Sequence, residues 1–520
     1  MGKIRKLIGA AFVAAALAGG GAAPALAQRT TLNFGIAAAD ANSLDPHKTA
    51  TTQDKVVLSW IFNGLVRIAP GQSNPKYIEP DLAESWDSSA DGLEWTFHLR
   101  HGVMCHKGYG ELTADDVVFS LHRAANPKTS SFASDFAQFK TVVAVDRYTV
   151  KITLSDHVPS LLGLVTNFQG GNIVCKAAVE ALGDDFARDP VGTGPFVFES
   201  YAPQQAITLS ANEAYFRGSP QIKKILYRYL PSDASRELAL MSGEIDIMQG
   251  TGTSDYVDRI NAKNGFHAFL GGPPELSVLH LNVTVPPLND IRVRKALAMA
   301  INRDDIIALF GHTAWPATSV IPSNNLGYKD FSDILPKYDI KAAKALLTEA
   351  GFADGLKLST IVSNKPTILP TMQVLQAQLA QIGVELEINV VDHATYHQQI
   401  RKDLSEVVYY GASRFPIADV YLTQFYHSRS AINKPTAVTN FSHCDVADVD
   451  IDAARVETDA NKQLQLWAKA QRKVIENVCA IPLYEGLWDW GKANDLDLGF
   501  EYVGSLTGGP MLTEQTHFAK

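Results

Sequence analysis

Residues 287–303 read Pro-Leu-Asn-Asp-Ile-Arg-Val-Arg-Lys-Ala-Leu-Ala-Met-Ala-Ile-Asn-Arg. This is a loop, a cap and a helix. Asn289 or Asp290 supplies an acceptor for the unpaired N–H groups of a first helical turn. Val293, Leu297, Ala300 and Ile301 then recur at helical spacing and make one apolar stripe. Pattern alone describes an amphipathic helix laid on a core. Downstream the same grammar repeats. Asp339 precedes a helical run that ends at Ala350-Gly351, a glycine C-cap. Residues 373–382 read as another helix, followed by Gly383 and a strand over 384–391. Residues 463–478 are helical and 481–484 enter a strand. Helix, glycine and strand in this succession define an α/β chain.

The 520 residues exceed what one core accommodates, so two or three domains are expected. Apolar residues make up 46% and charged residues 19%, as in a soluble globular protein. The formal net charge is -9 and no basic run is interleaved with aromatics, which argues against nucleic acid as a partner. Lys3, Arg5 and Lys6 precede an apolar stretch over 8–17, three glycines and Ala25-Leu26-Ala27. That is the layout of a secretory signal peptide over residues 1–27, cleaved after Ala27, and not of a membrane span. No cysteine follows the cleavage site, so no lipid anchor is expected there. Cleavage removes three basic and no acidic residues, leaving a net charge of -12. The expected destination is the periplasm. In that oxidising compartment Cys105, Cys175, Cys444 and Cys479 have three possible pairings, with buried free thiols as the alternative.

Earlier in the chain, residues 31–37 alternate like a strand and Leu44-Asp45-Pro46-His47 forms a turn. Residues 56–65 read as a helix ended near Asn63-Gly64. Ala83-Glu84-Ser85-Trp86 leads to a turn at Asp91-Gly92, then to an alternating strand through Leu93, Trp95, Phe97 and Leu99. Thr113-Ala114-Asp115-Asp116-Val117 starts a capped helix, with Asp116 at its third position. Val191-Gly192-Thr193-Gly194-Pro195-Phe196 is a tight turn feeding a strand, and no Gly-Lys-Ser/Thr follows that would make it a phosphate loop. Asn212-x-x-Tyr215-Phe216-x-Gly218 and Ser242-Gly243-Glu244-Ile245-Asp246 complete the set.

In this order the motifs resemble the large solute-binding proteins of ABC importers, the dipeptide, oligopeptide, nickel and opine class of family 5 extracellular solute-binding proteins. The resemblance runs from about Leu32 to about Leu483 and rests on at least six collinear motifs. It implies an α/β, two-lobed periplasmic binding protein fold (type II, the large three-domain variant) with a hinge and an interlobe ligand cleft. Discontinuous domain I would comprise residues 28–62, 190–275 and 487–520. Domain II would be 63–189, and domain III, the second lobe, 276–486. The chain would cross between lobes near Pro274 and Gly486. The residues after the Leu-Asp-Pro-His turn, Ala50, Thr51 and Thr52, would face the cleft, as would Ser277 just past the first crossing. A monomer that docks on a membrane permease is implied, without a cofactor.

Catalytic motifs are missing: no Gly-x-Ser-x-Gly elbow and no HExxH occurs. His393 and His397 have the spacing of two ligands on one helix face, but no acidic third ligand is placed near them in sequence, so a solvated or structural role is expected over a metal. His98, His101 and His106 cluster in sequence, and His98 lies out of phase with the strand's apolar face, so solvent exposure is expected. Binding without turnover is the class that fits, and an enzyme or metal-binding protein is the weaker alternative.

Specificity points to Tyr409-Tyr410-Gly411-Ala412-Ser413-Arg414-Phe415-Pro416-Ile417-Ala418-Asp419. In the peptide-binding members this piece resembles, an Asp stands at the position of Arg414 and takes the ligand's α-ammonium. A guanidinium there reverses the local charge and suits a carboxylate or phosphate. Two other outcomes are open: Arg414 pairs with Asp419 or another acid and never meets ligand, or Asp419 itself anchors an ammonium. Ser413, Tyr409, Tyr410 and Phe415 supply the candidate walls, although a strand lets only one of the two tyrosines face the cleft. Trp488 and Trp490 are expected in the core. The expected ligand is therefore a peptide or peptide-like solute or, alternatively, an anionic non-peptide solute of opine-like or sugar-phosphate-like type.

Overall fold

The computed structural model describes residues 29–49, 51–365, 367–434 and 439–519. The expected signal segment and Ala50 lie outside these residues. The chain forms a two-lobed α/β protein around one nine-stranded sheet. Val407–Ala412 is one edge of that sheet. Phe266–Leu281, Ala480–Ala493, Ile247–Gln249, Thr31–Ile36, Lys224–Tyr229, Ala206–Ala211 and finally Phe196–Ala202 follow in order, with Ala314–Pro316 branching onto Ala480–Ala493. Thr31–Ile36 is parallel to both of its neighbours, and the other pairings are antiparallel.

Two long strands carry the sheet from one lobe into the other. Phe266–Leu281 has 16 residues and Ala480–Ala493 has 14. They pair from Phe266↔Ala493 to His280↔Ala480, with a register break between Gly271 and Glu275. On the near side of the break Trp490 is 1% exposed and packs on Phe34, 5.5 Å between ring centroids. Its core also holds Trp60, Phe97, Val117, Ile152 and Tyr227. On the far side Val278 belongs to a core with Tyr410, Tyr421, Phe425 and Trp467, and Leu279 to one with Val293, Leu297, Leu347 and Leu386. The sequence pattern entered the last long strand at 481–484; the strand continues unbroken to Ala493, so Trp490 lies on it in the core while Trp488 is half-buried.

The helix after the Pro-Leu-Asn-Asp turn spans Ile291–Ala300, capped by Asp290, whose Oδ1 accepts from Arg292 N at 2.8 Å. Its stripe is buried: Val293 0%, Leu297 1%, Ala300 0%. Each fully buried Val or Leu contributes on the order of 1.5–3 kcal/mol. Two other helices start earlier than the pattern suggested. One spans Leu369–Ala380 because Pro370 sits in its first turn, where no N–H is needed. The other spans Thr52–Ile61, capped by Thr51. It stops before Gly64 because Gly64 packs directly on the backbone of Thr166 and Asn167, where a Cβ would clash. Gly192 and Gly194 serve the same purpose. Neither has positive φ; each lies against the carbonyl end of that helix, and Gly194 N donates to Ile61 O at 2.8 Å.

A separate four-stranded antiparallel sheet runs Ala83–Ser88, Glu94–Leu99, Thr149–Leu154, Phe139–Asp146. The helix Ala114–Ala125 beside it has its expected cap, with Thr113 N donating to Asp116 Oδ2 at 2.8 Å. Of the three possible pairings the fold brings together Cys105 with Cys175 and Cys444 with Cys479, at Cα separations of 6.1 and 5.9 Å. No helix among the described residues is long and apolar enough to cross a membrane.

Candidate functional site

The edge strand Val407–Ala412 sorts its two tyrosines by alternation. Tyr409 turns into the core beside Val293 and Leu297. There its hydroxyl meets Ser277 Oγ at 2.9 Å and Tyr484 Oη at 2.8 Å, a closed buried network. Ser277 and Tyr409 therefore spend their polar atoms on each other. Tyr410 turns the other way, toward Phe441, Phe425 and His397, with ring centroids 5.1, 5.9 and 6.0 Å away. Burial raises the Tyr410 hydroxyl, but the charges of the nearby Arg414 and Arg401 guanidiniums bring it below its ordinary value.

After the strand the loop delivers Arg414, half-buried. Its backbone N–H donates to Tyr421 Oη at 3.0 Å, its Nε to Gln424 Oε1 at 2.8 Å and its Nη1 to Ser413 O at 3.1 Å. The guanidinium carbon lies 5.5 Å from the Phe425 ring centroid. All of these partners are formally neutral. Among the described residues no carboxylate comes within 4.0 Å of it. Asp419, on the helix Ala418–Tyr426, pairs instead with Arg455 at 3.6 Å. Burial raises its carboxyl and Arg455 opposes that. Phe415 reaches across to the other lobe, where its ring occupies the space above Gly163 that a Cβ would need. His157 of that lobe also contacts the Arg455 carbonyl.

Thr51 caps its helix and donates from Oγ1 to Asp54 Oδ2 at 2.7 Å. Thr52 is half-buried at the first helical position. One turn on stands Lys55, which sequence reasoning missed. Its Nζ lies 5.2 Å from the Phe168 ring centroid and 5.8 Å from that of Phe132. Burial, then the Arg414 charge, lowers Lys55 to about 8, against the pull of Asp135 and Asp54. Asp135 is raised by burial and held back by Arg414 and Lys55. Glu275, folded over Gly411, is raised by burial and held back by Lys365 and Arg414. Lys55 and Asp135 come from the first lobe, and Arg414, Glu275 and Lys365 from the second and its hinge strand. These five charges influence one another, yet among the described residues none forms an ion pair within 4.0 Å. Such spacing suits a solute that carries charges of both signs.

Lys55 had a signal in the sequence: it follows Thr51 by four and Thr52 by three, on one helix face. Asp135 and Glu275 had none, because only the fold brings them to Arg414. His393 and His397 lie on the helix His393–Gln399 with Nε2 atoms 3.2 Å apart, and His393 Nδ1 is 3.0 Å from Ser363 Oγ. Burial first, then cationic neighbours that include Lys365, lowers each to about 4, so both are neutral near pH 7. No group of three potential metal ligands occurs among the described residues. His98, His101 and His106 part company. His106 is buried with Nε2 3.0 Å from Gly194 O, His98 lies near Asp87, and His101 sits on the Tyr148 ring.

Two lobes joined by a pair of continuous strands, with unpaired charges between them, define a solute-binding protein. The sequence profile of bacterial extracellular solute-binding proteins, family 5 Middle, matches residues 77–433, more than half of the chain, and the chain belongs to this family. A di/tripeptide-binding protein of Pseudomonas aeruginosa is 30% identical over 464 residues, covering 81% of this chain and 83% of its own. An ABC transporter peptide-binding protein of Brucella ovis is 34% identical over 335 residues; the match covers 62% of each chain, so it spans less than two thirds of that relative. A solved binding protein from A. tumefaciens R10, MoaA in complex with mannopinic acid, is 51% identical with a TM-score of 0.86, covering 95% of this chain and 100% of its own.

Proposed function

We propose that this protein is the periplasmic substrate-binding component of an ABC importer, and that its solute is an anionic, opine-like conjugate of an amino acid. The observation that carries the reading is Arg414: a guanidinium held by neutral partners between the lobes, with no carboxylate within 4.0 Å among the described residues. A ligand carboxylate completes it in a two-pronged contact. The likeness to a mannopinic acid complex at 51% identity supports this choice. In this reading the signal peptide is cleaved after Ala27 and the monomer catalyses no reaction. Its lobes are domains I plus II and domain III, with the boundaries expected above. The hinge is the register break beside Pro274 and Gly486. Closure on the solute creates the surface that meets the membrane permease.

A short peptide is the second reading, favoured by the di/tripeptide-binding relative and by Asp135 and Glu275, which suit an ammonium. Isothermal titration of the refolded, ligand-free protein with mannopinic acid and with a set of dipeptides separates the two. Tight binding of mannopinic acid alone is expected; tight binding of dipeptides alone would overturn the anionic reading.

A further inference from the structure

We propose that Lys55 and Arg414, one from each lobe, form a clamp that closes fully only around a bound carboxylate, so that the hinge reads the charge of the solute. This rests on the anionic-solute reading above and names Lys55 as its second anchor and specificity determinant.

The geometry is that of an interlobe charge pair. Lys55 rises from the helix Thr52–Ile61, whose other side is locked into the first core by Val56, Val57, Trp60 and Ile61. Its ammonium is confined by the rings of Phe132 and Phe168. Arg414 is fixed from the second lobe by Tyr421 and Gln424. The neighbouring Phe415 seats on Gly163 of the first lobe, five residues before the Phe168 whose ring confines Lys55, and the Arg414 charge is felt at Lys55.

The nearby acids do not cancel that repulsion by contact. Asp54 is engaged by Thr49, Thr51 and the backbone of Asn42 and Ser43. Asp135 influences both cations without pairing with either, and Glu275 feels Lys365 and Arg414, also without a pair among the described residues. Like charges drawn together away from water repel, and a carboxylate placed between them reverses the sign of the interaction. Asp135 and Glu275 beside the clamp suit the amine of the same molecule. The class recognised is then an N-substituted amino acid: carboxylate at Lys55 and Arg414, amine at the acids, and the remainder along Tyr410 and the neutral His393 and His397.

The test uses the full mature chain, wild type, Lys55→Gln and Lys55→Arg, with mannopinic acid as probe. Calorimetry is expected to show Lys55→Gln binding about 10- to 100-fold more weakly, the scale of a hydrogen bond to a charged group, and Lys55→Arg recovering most of that loss. Small-angle scattering of the empty proteins is expected to show Lys55→Gln more compact than wild type, because the repulsion that holds the lobes apart is gone. A merely structural lysine would not give that result. Wild-type affinity in Lys55→Gln overturns the clamp and leaves the anionic reading standing. Failure of the wild type to bind mannopinic acid overturns that reading; scattering then decides the clamp alone, and an empty Lys55→Gln no more compact than wild type sinks it.

Discussion

Arg123 and Arg414 are both arginines of loops or helix ends beside a lobe core, and they are used in opposite ways. Arg123, near the end of the helix Ala114–Ala125, faces Asp45 of the Leu-Asp-Pro-His turn. Nη1 donates to Oδ1 at 2.9 Å and Nη2 to Oδ2, with side-chain exposures of 9% and 2%. His47 of the same turn is buried with Nε2 2.9 Å from Asn172 O. That corner is a bolt, and its two charges are paired within the first lobe. The Arg414 guanidinium is oriented by one carbonyl and one side-chain amide, with its backbone N–H on the Tyr421 hydroxyl, which aims a charge without neutralising it. A buried arginine whose fork is filled by a carboxylate holds the fold together; one aimed by neutral partners into an interlobe space is available to a ligand.

Breaking the bolt should have the largest effect. Asp45→Ala leaves Arg123 buried without its carboxylate, and chemical denaturation should show a loss of about 3–5 kcal/mol. If the midpoint hardly moves, the bolt is not what the geometry indicates. Arg414→Ala should sharpen the contrast from the other side. Calorimetry should show mannopinic acid binding weaker by about 1–3 kcal/mol, with stability changed far less than in Asp45→Ala. Equal losses of stability in the two variants would erase the distinction.

A third variant acts on the closure that Arg414 needs. Gly163→Val places a side chain where the Phe415 ring sits, so the lobes should be propped apart. Affinity should fall several-fold, about 1 kcal/mol, while each lobe keeps its core. Scattering of the ligand-mixed protein should show larger dimensions than wild type, and unchanged dimensions would mean that the ring simply moves aside.

A fourth effect is one of pH. Lys55 titrates at about 8 in the folded, closed protein, lowered first by burial and then by Arg414. An unfolded lysine titrates near 10.4. Between these values the unfolded chain binds more protons, so stability gains from Lys55 as pH rises through that window, and the penalty is fully present below about 8. Comparing the denaturation midpoints of wild type and Lys55→Gln from pH 7 to 10 checks the sign. The wild type should gain on the variant as pH rises, and parallel pH profiles would place Lys55 in solvent.

Much of the scaffold was written locally. Asp290, Asp339 and Thr113 cap the helices they precede, the Val293-Leu297-Ala300 stripe is buried, and Gly351 ends its helix at φ 92. Caps, stripes and glycine stops act within one or two turns of chain, so a sequence carries them without reference to the fold. Helix starts were less legible where a proline or threonine extended a first turn, as at Leu369 and Thr52.

The sequence by itself determined the α/β class, the family resemblance, Arg414 as a charge reversed from the peptide-binding pattern, and Thr51 and Thr52 as a neighbourhood one turn short of Lys55. Only the tertiary structure decided that Asp419 belongs to Arg455, that Tyr409 and Ser277 satisfy each other, and that Lys55, Asp135 and Glu275 each feel the charge of Arg414. The reason is range. Periodicity and capping are properties of neighbours in the chain. The meeting of Lys55 and Arg414 depends on two strands crossing between lobes and on the closure they allow, and no local pattern encodes that.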